Sequence, residues 1–233
     1  MPSLRIDPRF CGPPNSGNGG YVAGLVAKAL GGSDCVVTLM LPPPLGRDLD
    51  LSAADGTAHL TEGERVVATG VCEAAKVDVP PPPGLPLAAE AEQRFTGLAR
   101  HNFPTCFVCG PERRVGDGLR IFAGLVEGAA SQVAATWLPD ASLLDEEGRV
   151  RTEFVWAALD CPGYFAVEQV AGRAVLGRLG VVLHEPRIEP KRMVVTGWPI
   201  ASSGRKHFAG TALHDERGRL LAAAAATWIS LRD

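Results

Sequence analysis

Asn18-Gly19-Gly20-Tyr21-Val22-Ala23-Gly24-Leu25-Val26-Ala27-Lys28-Ala29-Leu30 is the stretch on which the reading of the fold turns. Ala and Leu favour helix, and Gly31-Gly32 supplies a C-terminal stop. The run carries one charge, Lys28, so the predicted helix over Val22 to Leu30 is expected to be buried nearly all round. Far along the chain, Thr152-Glu153-Phe154-Val155-Trp156-Ala157-Ala158-Leu159-Asp160-Cys161 reads alike. Thr152 suits an N-cap there, and Glu153 suits the positive end of the helix. Pro162-Gly163 is expected to bend or interrupt this second helix before Tyr164-Phe165-Ala166-Val167.

The strand-rich segments downstream of the two helices also match. His59 to Ala75 holds a turn at Glu62-Gly63-Glu64 and then Val66 to Val71. Thr211 to Leu231 holds a turn at Asp215-Glu216-Arg217-Gly218 and then Leu220 to Ile229. Each reads as a hairpin whose second strand is apolar and small. Alanine alone would permit helix over Leu220 to Ala226, but the preceding turn and the terminal Thr227-Trp228-Ile229 favour strand. Further strands are expected at Gly118 to Phe122, Ala130 to Trp137, Ala174 to Leu183 and Arg192 to Ile200. The first half is expected to begin almost at its helix, with at most a short strand around Leu4-Arg5-Ile6.

The division falls at Pro80-Pro81-Pro82-Pro83, which can continue neither a helix nor a central strand. The sequence therefore predicts a first unit over 1–79, a Pro-rich linker over 80–100 and a second unit over 101–233. Each would be an antiparallel sheet wrapped around one buried helix, an α+β architecture.

The whole chain has 233 residues, 46% hydrophobic and 21% charged, with a net charge of −3. That balance is ordinary for a globular protein and offers no electrostatic reason to expect nucleic acid. No apolar run approaches about 20 residues, so no membrane span is expected. Met1-Pro2-Ser3-Leu4-Arg5 lacks the apolar core of a signal peptide, and the cytoplasm is the expected location. The six cysteines then read mostly as small hydrophobes.

Four segments, taken in order, resemble the hotdog fold, and within it the thioesterase superfamily. Asn18 to Gly24 is similar to the opening of the central helix in acyl-CoA thioesterase-like proteins. Cys106-Phe107-Val108-Cys109-Gly110-Pro111, with Gly118-Leu119-Arg120-Ile121-Phe122 after it, is similar to a segment of some single hotdog proteins. Ala158-Leu159-Asp160 resembles the helix segment where many hotdog thioesterases carry a catalytic carboxylate. Gly204-Arg205-Lys206 through Ala222 resembles the closing hairpin. The resemblance implies a tandem, double hotdog that hydrolyses acyl-CoA thioesters at a site between its two units. A non-catalytic acyl-CoA-binding protein, or a hotdog enoyl-CoA hydratase or dehydratase, are the alternative readings.

Thioester hydrolysis needs a carboxylate to activate water or attack directly, and donors to hold the oxyanion. Asp160 is the only carboxylate inside either predicted helix beyond the first turn, and an acid among Ala157, Ala158, Leu159 and Cys161 is costly to bury without a job. The bland reading is a carboxylate capping the bend at Pro162-Gly163. Setting Val22 against Val155 places Ala27 at the position of Asp160, so one acid is expected rather than two. Gly19 and Gly20 open the first helix, where backbone can approach a ligand. The Gly20 N–H is expected to face the thioester, with Asp160 as catalytic partner. Asn18 adds a hydrogen-bonding group, although asparagines in such loops are commonly turn formers. Glu153 is a second carboxylate, otherwise a helix-dipole partner. Arg151-Thr152-Glu153 stands where many single-domain hotdog thioesterases have His-Gly-Gly, which favours the binding-protein alternative. Arg205 and Lys206 are candidates for the phosphates of coenzyme A.

His101, Cys106 and Cys109 invite a zinc reading, but a single Cys-x2-Cys pair with one His is thin. A further ligand would have to come from afar, with Cys161 as one choice. The expectation is a turn at Gly110-Pro111, with no metal and no cofactor. Exposed sheet edges would allow pairing into a homodimer.

Overall fold

A computed structural model describes residues 3–129 and 131–232. Strand β1 (Ser3–Arg5) leads into helix α1 (Gly19–Lys28), then β2 (Cys35–Leu39), β3 (Asp48–Ala54), β4 (Thr57–Glu62) and β5 (Arg65–Cys72). Helix α2 (Leu85–Glu92) comes next, then β6 (Gly124–Leu125) and β7 (Val133–Trp137). Helices α3 (Thr152–Ala158) and α4 (Cys161–Ala171) precede β8 (Ala174–Leu183), β9 (Met193–Ser203), β10 (Lys206–His214) and β11 (Leu220–Ser230). Among the described residues, eleven strands join one sheet in the order β1-β3-β4-β5-β2-β8-β11-β10-β9-β7-β6. The pairings are antiparallel throughout.

The centre of that order is a seam between β2 and β8, the two strands that come directly after the central helices. Cys35 pairs with Val181, Val36 with Gly180, Val37 with Leu179 and Thr38 with Arg178. Outward from the seam both sides run post-helix strand, last strand, next-to-last strand, the strand before that and the pre-helix strand, with β6 as an additional edge strand on the β8 side. The central helices α1, α3 and α4 lie together, with α1 against β2, β5 and β8 and α4 against β9, β10 and β11.

Helix α1 packs on α3 through two glycines four residues apart, which share a helix face. A Cβ on Gly24 would lie 2.6 Å from Glu153 Cα, and one on Gly20 would lie 2.9 Å from the Trp156 carbonyl oxygen. Only glycine admits this approach. Gly20 lies near Ala157 and Gly24 near Glu153, so the two helices run antiparallel. Trp156 fills the space behind the crossing, fully buried, and its indole N–H donates to the Gly32 carbonyl at 3.0 Å. Truncating such a side chain to alanine costs about 3–5 kcal/mol.

The alanine-rich segment is strand β11, as the hairpin reading expects. It lies between β10 and β8 and pairs with both through Ala222 to Ala226. Helix α4 approaches the sheet through Gly163, where a Cβ would touch Ala209 and Thr211 of β10 and the Trp228 indole of β11.

Several expectations need correction. The segment Gly118 to Phe122 is not a strand. Arg120 sits at φ 54°, which breaks extended pairing, although the Leu119 and Ile121 N–H groups still bond to Phe107 and Val108. Of the strand expected from Ala130, Ala130 itself lies outside the described residues, and pairing starts at Val133. Arg151 rather than Thr152 is the N-cap of α3; Thr152 is the first helical residue and packs on Gly32. The second central helix is broken at Leu159-Asp160, ahead of Pro162, into α3 and α4.

The segment 80–100 is more than a spacer. Pro81 accepts a hydrogen bond from Gln132, Pro82 approaches Gly218, and α2 then packs Ala88 and Ala91 against Ala134 and Val194. Alternate residues Val133, Ala135 and Trp137 belong to the main core on the opposite face. This is the two-residue period of a strand covered on both faces. The proline run therefore crosses the back of the sheet and delivers a small helix to its far side.

Candidate active site

Asp160 sits at the break between α3 and α4, and its carboxylate does not cap the bend. It reaches across the crossing to the start of α1. Its Oδ2 accepts the Gly20 N–H at 2.9 Å and the Asn18 Nδ2–H at 2.8 Å. Asn18 is the N-cap of α1, and its Oδ1 accepts the Tyr21 N–H at 2.9 Å. One amide thus closes the helix and grips the acid. The break itself is held by Thr211, whose hydroxyl donates to the Leu159 carbonyl at 2.7 Å.

Asp160 is 2% exposed. Burial is the main cause that pushes its carboxyl up to about 7, and Cys106 adds to it; the Gly20 N–H and Asn18 oppose the rise. The second oxygen, Oδ1, is buried with no hydrogen-bond partner among the described residues.

A cavity of about 570 Å³ opens beside this carboxylate. It lies at one end of the β2–β8 seam, a size suited to a small-molecule ligand. Leu39, Met40, Val175, Leu176 and Ile229 give it apolar walls, and Asn18, Gly19, His101, Asp160, Tyr164 and Trp228 bring polar groups. Three residues that line this cavity each carry a buried side-chain atom with no hydrogen-bond partner among the described residues: Asp160 Oδ1, His101 Nε2 and Trp228 Nε1. Buried polar atoms are normally paired, so this concentration marks a place for a ligand. The Gly19 N–H, at the first position of α1, is also free of a hydrogen-bond partner among the described residues.

Three cysteines complete the wall. Cys106 and Cys161 place their sulfurs 3.7 Å apart, and Asn18 Nδ2 lies 3.9 Å from the Cys106 sulfur. The neighbouring Cys109 and Cys161 thiols hold the Cys106 thiol well below its usual range, while burial pushes Cys109 up and the Cys106 contact pushes Cys161 up. Nearby, Asn102 donates to the Tyr164 hydroxyl at 2.8 Å, and that hydroxyl donates to the Gly172 carbonyl at 3.0 Å.

The structure brings together four of the residues singled out from sequence: Asp160, Asn18, Gly19 and Gly20. One detail differs. The Gly20 N–H is taken by Asp160 itself and does not face the cavity as a free donor. Glu153 lies away from the cavity, buried between α1 and α3, with Lys28 at 3.5 Å and Arg151 at 3.7 Å. Arg205 and Lys206 sit at the β9–β10 hairpin and do not line the cavity; Arg205 donates to the Ser230 carbonyl. The basic residue at the rim is Arg173, with its guanidinium 5.9 Å from the Phe103 ring centroid. Sequence reasoning passed over Arg173 because it belongs to no motif, and over Tyr164 because it sits past the helix break.

No family model matches the chain, and no curated protein matches it in sequence. Solved structures do. The tesB protein of Mycobacterium avium subsp. paratuberculosis superposes with a TM-score of 0.63 at 13% identity, covering 99% of this chain and 92% of that one. A proposed thioesterase from Novosphingobium aromaticivorans gives 0.61 at 13% identity, covering 99% and 95%. A hot dog fold protein of unknown function from Alicyclobacillus acidocaldarius gives 0.59 at 12% identity, covering 99% and 93%. At these identities the likeness speaks for the fold, over nearly the whole length of each chain. The single antiparallel sheet with its central helices is a hotdog fold.

Proposed function

We propose that the chain is a tandem, double hotdog that hydrolyses acyl-CoA thioesters with Asp160 as its base or nucleophile. The observation that carries this reading is the state of Asp160: one carboxylate oxygen fixed by Gly20 and Asn18, the other bare, beside an apolar cavity. A carboxyl near neutrality can take a proton from water at working pH. Its fixed oxygen holds its orientation, and its bare oxygen is left to act on water or on the acyl carbon. The Gly19 N–H, at the positive end of α1, is placed to stabilise the oxyanion. The thiolate of coenzyme A leaves readily, since an ordinary thiol titrates at about 8.5. The thioesterase name carried by the Novosphingobium structure of the same fold agrees with this chemistry.

The palindromic strand order supports a duplication divided near the proline run, with units over 1–79 and 101–233 joined at the β2–β8 seam. The site is expected once. At the other end of the helix crossing, the position matching Asp160 is Ala27, fully buried, and Lys28 pairs with Glu153 beside it. Arg173 is the candidate for coenzyme A phosphate; of the sequence candidates, Arg205 bonds to Ser230 and Lys206 pairs with the cavity residue Ile229, but neither lines the cavity.

A thiol-release assay over acyl-CoA chain lengths tests the reading. Wild type is expected to turn over at least one chain-length class, and Asp160→Ala to lose that turnover. Binding of acyl-CoA with equal, background thiol release in both proteins would replace it with the binding-protein alternative, which the absence of glycine at Arg151-Thr152-Glu153 favours.

A further inference from the structure

We propose that Cys106, Cys109 and Cys161 are thiolate ligands of a zinc-class metal ion set into the cavity wall. Their three sulfurs all lie within 4.8 Å of one another. A tetrahedral zinc with bonds of about 2.3 Å holds its sulfurs about 3.8 Å apart. The Cys106–Cys161 separation of 3.7 Å matches that edge. It is far too long for a disulfide, whose sulfurs stand about 2.05 Å apart.

The backbone is shaped for the purpose. In the Cys106–Gly110 turn, the Gly110 N–H donates to the Cys106 carbonyl at 2.8 Å. Gly110 admits no side chain, because a Cβ would lie 2.5 Å from both the Pro104 and Cys106 carbonyl oxygens. The turn is pinned from outside by Phe107 N–H to the Cys11 carbonyl at 2.7 Å and Leu119 N–H to the Phe107 carbonyl at 2.8 Å. Two sulfurs are thus presented by a rigid loop. The third, Cys161, comes from the first position of α4, where the positive end of the helix favours a thiolate.

Packing as small hydrophobes does not require three sulfurs to converge on one point. Here they converge from two separate segments, and all three cysteines are buried. Among the described residues, no His, Asp or Glu ligand atom joins them in the same cluster. All three border the cavity, so the fourth coordination position is left to water or a cavity ligand. The ion would tie the 106–109 turn to the start of α4, one residue from Asp160. This assignment does not depend on the thioesterase reading.

The test is metal content by plasma mass spectrometry on the full chain, purified under reducing conditions without added chelator. The expected result is zinc equimolar with protein. Cys106→Ser, Cys109→Ser and Cys161→Ser are each expected to lower it at least about tenfold, and Cys72→Ser, an exposed cysteine elsewhere, to leave it unchanged. Because the serine variants can misfold, cobalt(II) is also titrated into chelator-stripped wild type. Saturation at equimolar cobalt with thiolate charge-transfer absorption and the intense visible bands of a tetrahedral site supports the assignment. Zinc-free protein that gives no charge-transfer band, or a folded Cys161→Ser chain that binds as wild type does, overturns it.

Discussion

The Gly20 N–H points at Asp160 Oδ2 from 2.9 Å, and so ties the start of one central helix to the break in the other. The same closeness leaves no room for a side chain: a Cβ on Gly20 would sit 2.5 Å from Asp160 Cβ. Gly20→Ala must therefore push α1 away from α3 or displace the acid. Overpacking of this kind costs about 1–3 kcal/mol. Urea unfolding should show that loss, and thiol release should fall more steeply than stability does, because the carboxylate loses its orientation. An alanine variant with wild-type midpoint and turnover would show that the contact is slack.

Asn18 separates capping from catalysis. Asn18→Ala removes both roles, and the lost cap alone costs about 1 kcal/mol. Asn18→Asp keeps an oxygen for the Tyr21 N–H but sets a second carboxyl where an amide N–H lies 2.8 Å from Asp160 Oδ2. The aspartate variant should retain more stability than the alanine variant yet turn over no faster. Recovery of activity in Asn18→Asp would mean that Asn18 serves α1 alone.

Thr211 holds the helix break through its bond to the Leu159 carbonyl and is fully buried. Thr211→Val preserves shape and leaves that carbonyl unpaired, which costs about 1–3 kcal/mol. A lowered unfolding free energy with reduced kcat and little change in KM is the expected pattern. Unchanged kcat would separate the break from the positioning of Asp160.

His214 supplies a pH dependence remote from the cavity. It is 2% exposed, and its Nδ1 has no partner among the described residues. Burial pushes its pKa down to about 4, and Asp215 pulls weakly the other way. Unfolded histidine titrates at about 6.5, so between those values the unfolded chain binds the extra proton. The neutral ring's contribution is present above about pH 6.5 and drains away as pH falls towards 4, about 3 kcal/mol in all. His214→Phe should remove that rise with pH and leave the opposite slope contributed by the raised Asp160 carboxyl over the same window; an unaltered slope would place the titration elsewhere.

Much of the fold can be read from local pattern. The helix at Asn18 to Leu30, the closing hairpin of each half and the alanine strand Leu220 to Ala226 emerge from period, turn residues and small side chains. The single acid at Asp160 and the glycines at 19 and 20 are visible as chemistry waiting for a partner. Other features are set by tertiary contact. β2 and β3 pass unread because Cys35 to Leu39 is short and Asp48 to Ala54, although it alternates, is built from the poor strand formers Asp and Ala, yet β2 forms the central seam. Helix α2 hides behind four prolines, since its Ala88 and Ala91 become apolar anchors only against Ala134 and Val194. Gly118 to Phe122 has a strand's alternation but Arg120 turns out of it. The cysteine cluster needs Cys161, which lies far along the chain from the Cys106-Cys109 pair and meets it only through the helix break.

The most direct test of the proposed function is single-turnover thiol release by wild type and Asp160→Asn, with acyl-CoA binding measured on both by calorimetry. The amide keeps an oxygen for the Gly20 N–H and for Asn18, so the fold and the cavity should persist, and it cannot accept a proton or attack as a carboxylate does. The expected result is binding within a few-fold of wild type and a chemical step slower by about a hundredfold or more. Equal chemical rates in the two proteins would contradict the role assigned to Asp160.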